Sequence, residues 1–89
     1  MDRYTVVTNQ VHVVGRGWYG QKIAYTYDLR AYDMENIGEI NRESIQNWLD
    51  KNAGDFQSVI DFCIDIGDHF EDFATEEGQR LWNDCHAEE

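Results

Sequence analysis

The sequence predicts a small α+β domain: an antiparallel sheet of three to four strands with two helices packed on one side, in the order β-β-α-β-α. Three stretches carry that expectation. Residues 23–29 alternate, with Ile23, Tyr25, Tyr27 and Leu29 on one face and Lys22, Ala24, Thr26, Asp28 and Arg30 framing the other. Residues 60–66 alternate again, Ile60, Phe62, Ile64 and Ile66 against Asp61, Cys63 and Asp65. Between them, Asn41 opens a well-marked helix.

In chain order, the β-branched run 4–14 reads as one long strand, with a bulge near Asn9-Gln10 where the alternation slips by one. Gly15, Gly17 and Gly20 suit a hairpin loop needing positive φ. Residues 31–39 are a polar link without an assigned element. The helix is placed at 42–53. Asn41 is its N-cap, Glu43 sits in the positive first turn, and Ile40 and Ile45 form a hydrophobic staple. Ile45, Trp48 and Leu49 share one face, Lys51 complements the negative end, and Gly54 takes the left-handed terminating position. Gly67-Asp68 ends the strand that follows. After an acidic connection, Thr75 caps a final short helix with Glu76 and Glu77 in its first turn and Leu81, Trp82 and Cys85 inward.

Eighty-nine residues fit one domain spanning 1–89. Eighteen Asp and Glu against seven Lys and Arg give a net charge of −11, which argues against direct binding of nucleic acid because the phosphate backbone needs a basic patch. Leu, Ile, Val and Phe number 20 and three Trp and five Tyr add core material, so the acidity belongs to a folded chain rather than a disordered tail. No apolar run is long enough to span a membrane, and Met1-Asp2-Arg3 does not begin a signal peptide, so a cytoplasmic location is expected. Cys63 and Cys85 are too few for a disulfide framework and read as free thiols.

The charge is unevenly placed. Residues 1–49 hold six acids and five bases, a net −1; residues 50–89 hold twelve acids against Lys51 and Arg80, a net −10. A strand and a helix are predicted within that second block, so folding fixes the carboxylates in space. Fixed like charges repel, at a cost to the compact state. A solvated, solubilising surface is the simple explanation. A shaped anionic surface offered to a basic partner is the sharper one. Asp61 and Asp65 on one strand face would stand about 13 Å apart, and several such rows could fill a groove made for nucleic acid. The candidate partner-binding residues are Asp55, Asp61, Asp65, Asp68, Glu71, Asp72, Glu76, Glu77 and Asp84. Trp18 and Tyr19 are secondary apolar candidates, expected either to fold back onto the sheet or, if exposed, to serve as rigid anchors.

Other chemistries fit less well. Gly15-x-Gly17-x-x-Gly20 matches a phosphate-loop pattern, but a predicted strand follows where a helix is required. The acids between 61 and 72 do not meet the EF-hand order, and His69, His86, Cys63 and Cys85 lack the close pairs of a zinc site. No nucleophile–base pairing stands out among many carboxylates, so no catalytic, metal or cofactor-binding residue is assigned and a non-enzymatic role is expected.

Small size, a folded α+β core, extreme acidity and no cysteine framework together resemble small phage- or mobile-element-encoded inhibitors of host defence, including anti-CRISPR and anti-restriction DNA mimics. The resemblance is one of general character along the whole chain and transfers no individual residue. It implies an inhibitor that binds a basic, nucleic-acid-binding host protein, such as a defence nuclease or CRISPR effector, in the host cytoplasm, with no cofactor. An acidic adaptor or immunity-type protein that binds a basic surface without mimicking nucleic acid is the alternative. The exposed edge of the first strand also offers a place where two copies could pair as a homodimer.

Overall fold

The computed structural model describes residues 9–87. Four strands form one antiparallel sheet: β1 (Asn9–Arg16), β2 (Lys22–Asp28), β3 (Ser58–Ile66) and β4 (His69–Glu71), ordered β2-β1-β3-β4. Three helices join them: α1 (Ala31–Ile37), α2 (Arg42–Asn52) and α3 (Glu76–Ala87). The order is β-β-α-α-β-β-α, so the α+β class holds while one helix and one short strand are added to the expected order.

The two clean alternations place their residues as expected. Val11 pairs with Tyr27 and Ile64, and Val13 with Tyr25 and Phe62, so one apolar row crosses three strands. Ile45 and Leu49 of α2 seal this row, both essentially inaccessible to water, each contributing roughly 1.5–3 kcal/mol by burial. The start of α2 is fixed by a reciprocal cap: Ser44 N donates to Asn41 Oδ1 at 2.9 Å, and Asn41 N donates to Ser44 Oγ at 3.1 Å. Its end departs from expectation. Ala53 caps the helix, and Gly54 does not adopt a left-handed conformation.

The segment 31–39, assigned no element from sequence, forms α1. Arg30 N donates to Asp33 Oδ2 at 2.9 Å to start it, Met34 and Ile37 reach the core, and Gly38 stops it at φ 75°. Seven residues with two inward apolar positions give too little period to recognise.

The first strand also differs. It begins at Asn9 among the described residues, the earlier part of the expected strand (4–8) lying outside them, and it runs on to Arg16. The irregularity falls at Val14/Gly15, not at Asn9-Gln10. Gly15 is there for close approach, since a Cβ would collide with the Ser58 carbonyl, and only Gly20 of the three glycines has positive φ. Among the described residues β1 lies between β2 and β3, so Asn9–Arg16 offers no free edge through which two copies could pair.

The helices do not share one side. α1 and α2 cover the face carrying Val11, Val13, Phe62 and Ile64, whereas α3 crosses β2, β1 and β3 on the other face. There Leu81 is buried, and the rings of His12 and Trp82 meet edge-on at 5.2 Å. With both faces covered, the polar-looking row of β3 becomes interior: Asp61 and Cys63 are buried beside Val14. No helix among the described residues is long and apolar enough to cross a membrane.

Candidate acidic interaction surface

Asp61 shows how the second layer is held. Only 3% of the residue is exposed. Its Oδ1 accepts from Phe62 N at 2.8 Å, Ala74 N at 3.1 Å and Arg42 Nη2 at 3.0 Å; its Oδ2 accepts from Thr75 N and Thr75 Oγ1, each at 2.8 Å. A buried carboxylate is tolerable only when its lone pairs are met in this way. Burial pushes the carboxyl pKa up, but the hydrogen bonds from Ala74, Thr75 and Phe62 outweigh it and hold the group below its ordinary value. Arg42, also donating to the Phe62 carbonyl and lying 4.1 Å over the Phe62 ring, is committed to this cluster. Thr75 then passes the order onward: its Oγ1 accepts from Gly78 N at 3.0 Å, capping α3 as the sequence predicted.

Asp61 is therefore no part of an exposed binding surface. Placed among the partner-binding residues on sequence grounds, it faces inward and joins β3, the start of α2 and the start of α3. The Asp61–Asp65 row of exposed charges does not exist. Two signals for this were present in the chain: an aspartate in mid-strand between Ile60 and Phe62, and a glycine, Gly78, in the first turn of a helix.

The other predicted acids divide into groups. Asp84, on α3, lies 3.3 Å from Lys22 Nζ, on the β2 side of the molecule. Asp55 is exposed in the α2–β3 connection, at the opposite end of the nine-residue β3 from Asp68, which at 3.3 Å per residue is about 30 Å away. Glu71 is half-buried, and its Oε2 lies 2.6 Å from His69 Nε2. Pairing with Ile64 turns Glu71 to the α2 side of the sheet, while Asp65, paired with Phe70, faces the α3 side.

Five predicted residues remain around β4 and the first turn of α3. Asp68, Asp72, Glu76 and Glu77 are exposed, and Asp65 is partly so, 3.8 Å from His12 Nε2. Asp72 and Asp65 both act on Cys63, whose thiol is pushed up to about 11 by burial first and then by these two carboxylates. The side chains of Asp68, Glu76 and Glu77 make no hydrogen bond or ion pair with the described residues. Gly67, at φ 54°, makes the tight β3–β4 turn that sets Asp68 at its tip. Phe70, 63% exposed, stands among these charges and was not picked out from the sequence.

Trp18 and Tyr19 do not fold back. They are 62% and 94% exposed at the tip of the β1–β2 hairpin, where Trp18 Nε1 donates to the Gly54 carbonyl at 2.8 Å. That bond ties the indole to the α2–β3 connection. Among the described residues, no three His, Cys, Asp or Glu side chains converge as a metal-ligand set. Comparison of the chain with protein-family models, curated proteins and solved structures finds no match.

Proposed function

We propose that this chain is a non-enzymatic cytoplasmic inhibitor that occupies the nucleic-acid site of a basic host protein, presenting Asp65, Asp68, Asp72, Glu76 and Glu77 in place of phosphates. The observation that supports this most is the division of the acids. Asp61 is used up in holding β3, α2 and α3 together; β3 carries Asp65 and the first turn of α3 carries Glu76 and Glu77, while Asp68 and Asp72 flank β4 in the short connections between them. Side chains rooted on such elements lose less freedom on binding than those of a loose acidic tail. Attraction between such a surface and a basic groove speeds encounter and weakens steeply with salt.

The experiment is capture from a bacterial lysate on the immobilised chain at low salt, followed by elution with duplex DNA. Mimicry predicts that the retained proteins bind nucleic acid and leave when DNA is added. A retained set indifferent to DNA and to salt would end this reading.

A second reading, an acidic adaptor, is favoured by the hairpin tip. Trp18 and Tyr19 are residue types that anchor protein interfaces, and Trp18 is already immobilised. On that reading the partner holds this chain and DNA at the same time.

A further inference from the structure

The sheet has two edges of opposite character. β4 is three residues long and set among Asp68, Glu71 and Asp72, so its edge is short and self-repelling. β2 is seven residues long, has no proline, and is uncharged from Ile23 to Tyr27, with Lys22 at one end and Asp28 at the other. We infer that two copies of this chain pair antiparallel through β2, about a two-fold axis at Tyr25, to form one continuous sheet.

Hydrogen-bond parity and charge select that register. Gly17 N donates to the Gln21 carbonyl and Leu29 N to the Asn9 carbonyl, so the odd-numbered residues of β2 bond toward β1. The backbone groups of Lys22, Ala24, Thr26 and Asp28 therefore point outward from the edge. A two-fold axis at Tyr25 sets Lys22 against the second copy's Asp28 and Ala24 against its Thr26, so every outward-facing residue meets another. Ile23 meets Tyr27, and the two Tyr25 side chains, each on a residue 53% exposed in the single chain, meet on the axis. A shift of one residue would set inward-bonding groups against outward ones; a shift of two would part Lys22 from Asp28. Of the acids in residues 50–89, Asp84 lies beside β2, where it is paired with Lys22 at 3.3 Å.

The test uses the whole chain. Light scattering behind size exclusion at roughly 100 µM, a concentration at which contacts near 10 µM register, is expected to give twice the 10.5 kDa chain mass. Lys22→Asp or Asp28→Lys alone sets like charges opposite one another and weakens pairing by roughly tenfold. The double exchange restores it, and no contact within one chain can produce that rescue, since the two positions lie about 20 Å apart along the strand. Asp28→Lys leaves the Lys22–Asp84 pair in place, so it remains informative if Lys22→Asp unfolds. In a Cys85→Ser background, Tyr25→Cys is expected to cross-link copies on oxidation, because residues facing each other at such a position have Cα atoms about 4.5 Å apart. A mass of one chain at every concentration, a double exchange that fails to rescue, or no Tyr25→Cys cross-link would overturn the pairing.

Discussion

Gly78 lies against the buried carboxylate of Asp61, so closely that a Cβ at position 78 would overlap the Asp61 Cβ, Cγ and Oδ2 atoms. Glycine in a helix ordinarily costs about 1 kcal/mol relative to alanine. Here the sign reverses. Gly78→Ala should destabilise by about 1–3 kcal/mol, the usual cost of forcing atoms into a filled interior. The shift of the denaturant midpoint reports it, and a stabilised variant would show that α3 does not rest on Asp61 as described.

Asp61→Asn should cost about 3 kcal/mol, as expected when one partner of a buried ion pair is removed. The new amide keeps one oxygen, so its NH2 would face either the N–H groups of Phe62 and Ala74 or that of Thr75, and Arg42 would lose its counter-charge. Arg42→Ala should cost less, because four donors to Asp61 remain. Urea titrations of the two variants rank them, and the opposite order would show that Arg42 rather than the backbone satisfies the carboxylate.

Acid should act through the same group. The folded pKa of Asp61 lies below its ordinary value of 3.8. Its contribution to stability is therefore complete above the unfolded value, and it is lost as the pH falls through the folded one. Unfolding midpoints measured from pH 5 to pH 2 should fall more steeply for the wild type than for Asp61→Asn, which has no proton to take up at this position. Parallel curves would remove Asp61 from the acid response.

At the hairpin tip, the two aromatic residues should separate fold from recognition. Tyr19→Ala changes an almost fully exposed side chain and should move stability by less than about 0.5 kcal/mol. Trp18→Phe keeps an aromatic ring but removes the bond to the Gly54 carbonyl, which should cost about 1 kcal/mol. Thermal unfolding of the pair checks this. Equal midpoints would mean that the indole does not tie the hairpin to the α2–β3 connection.

Much of this architecture was legible because it repeats within a few residues. The alternation at 23–29 and 60–66, the Asn41 cap and the Thr75 cap all appear where the chain indicates them. The features it did not reveal depend on distant partners. Asp61, Cys63 and Asp65 read as a wet face because nothing local shows that α3, which begins 15 residues after Asp61, folds back over Asp61 and Cys63. β4, only His69-Phe70-Glu71, is too short to display a period, and Lys22 gives no sign that Asp84, 62 residues away, will meet it. Charge totals were legible in the same way: the excess of acids in residues 50–89 is plain, but its division into structural, paired and exposed carboxylates required the fold.

The most direct measurement is lysate capture by a chain carrying Asp65→Asn, Asp68→Asn, Asp72→Asn, Glu76→Gln and Glu77→Gln, with its unfolding midpoint recorded alongside. The expected result is a folded protein with a midpoint close to the wild type, because relief of repulsion offsets the favourable placement of Glu76 and Glu77 at the start of α3, and no retention of the proteins that duplex DNA displaces from the wild type. Undiminished capture of those proteins by the folded variant would contradict the account.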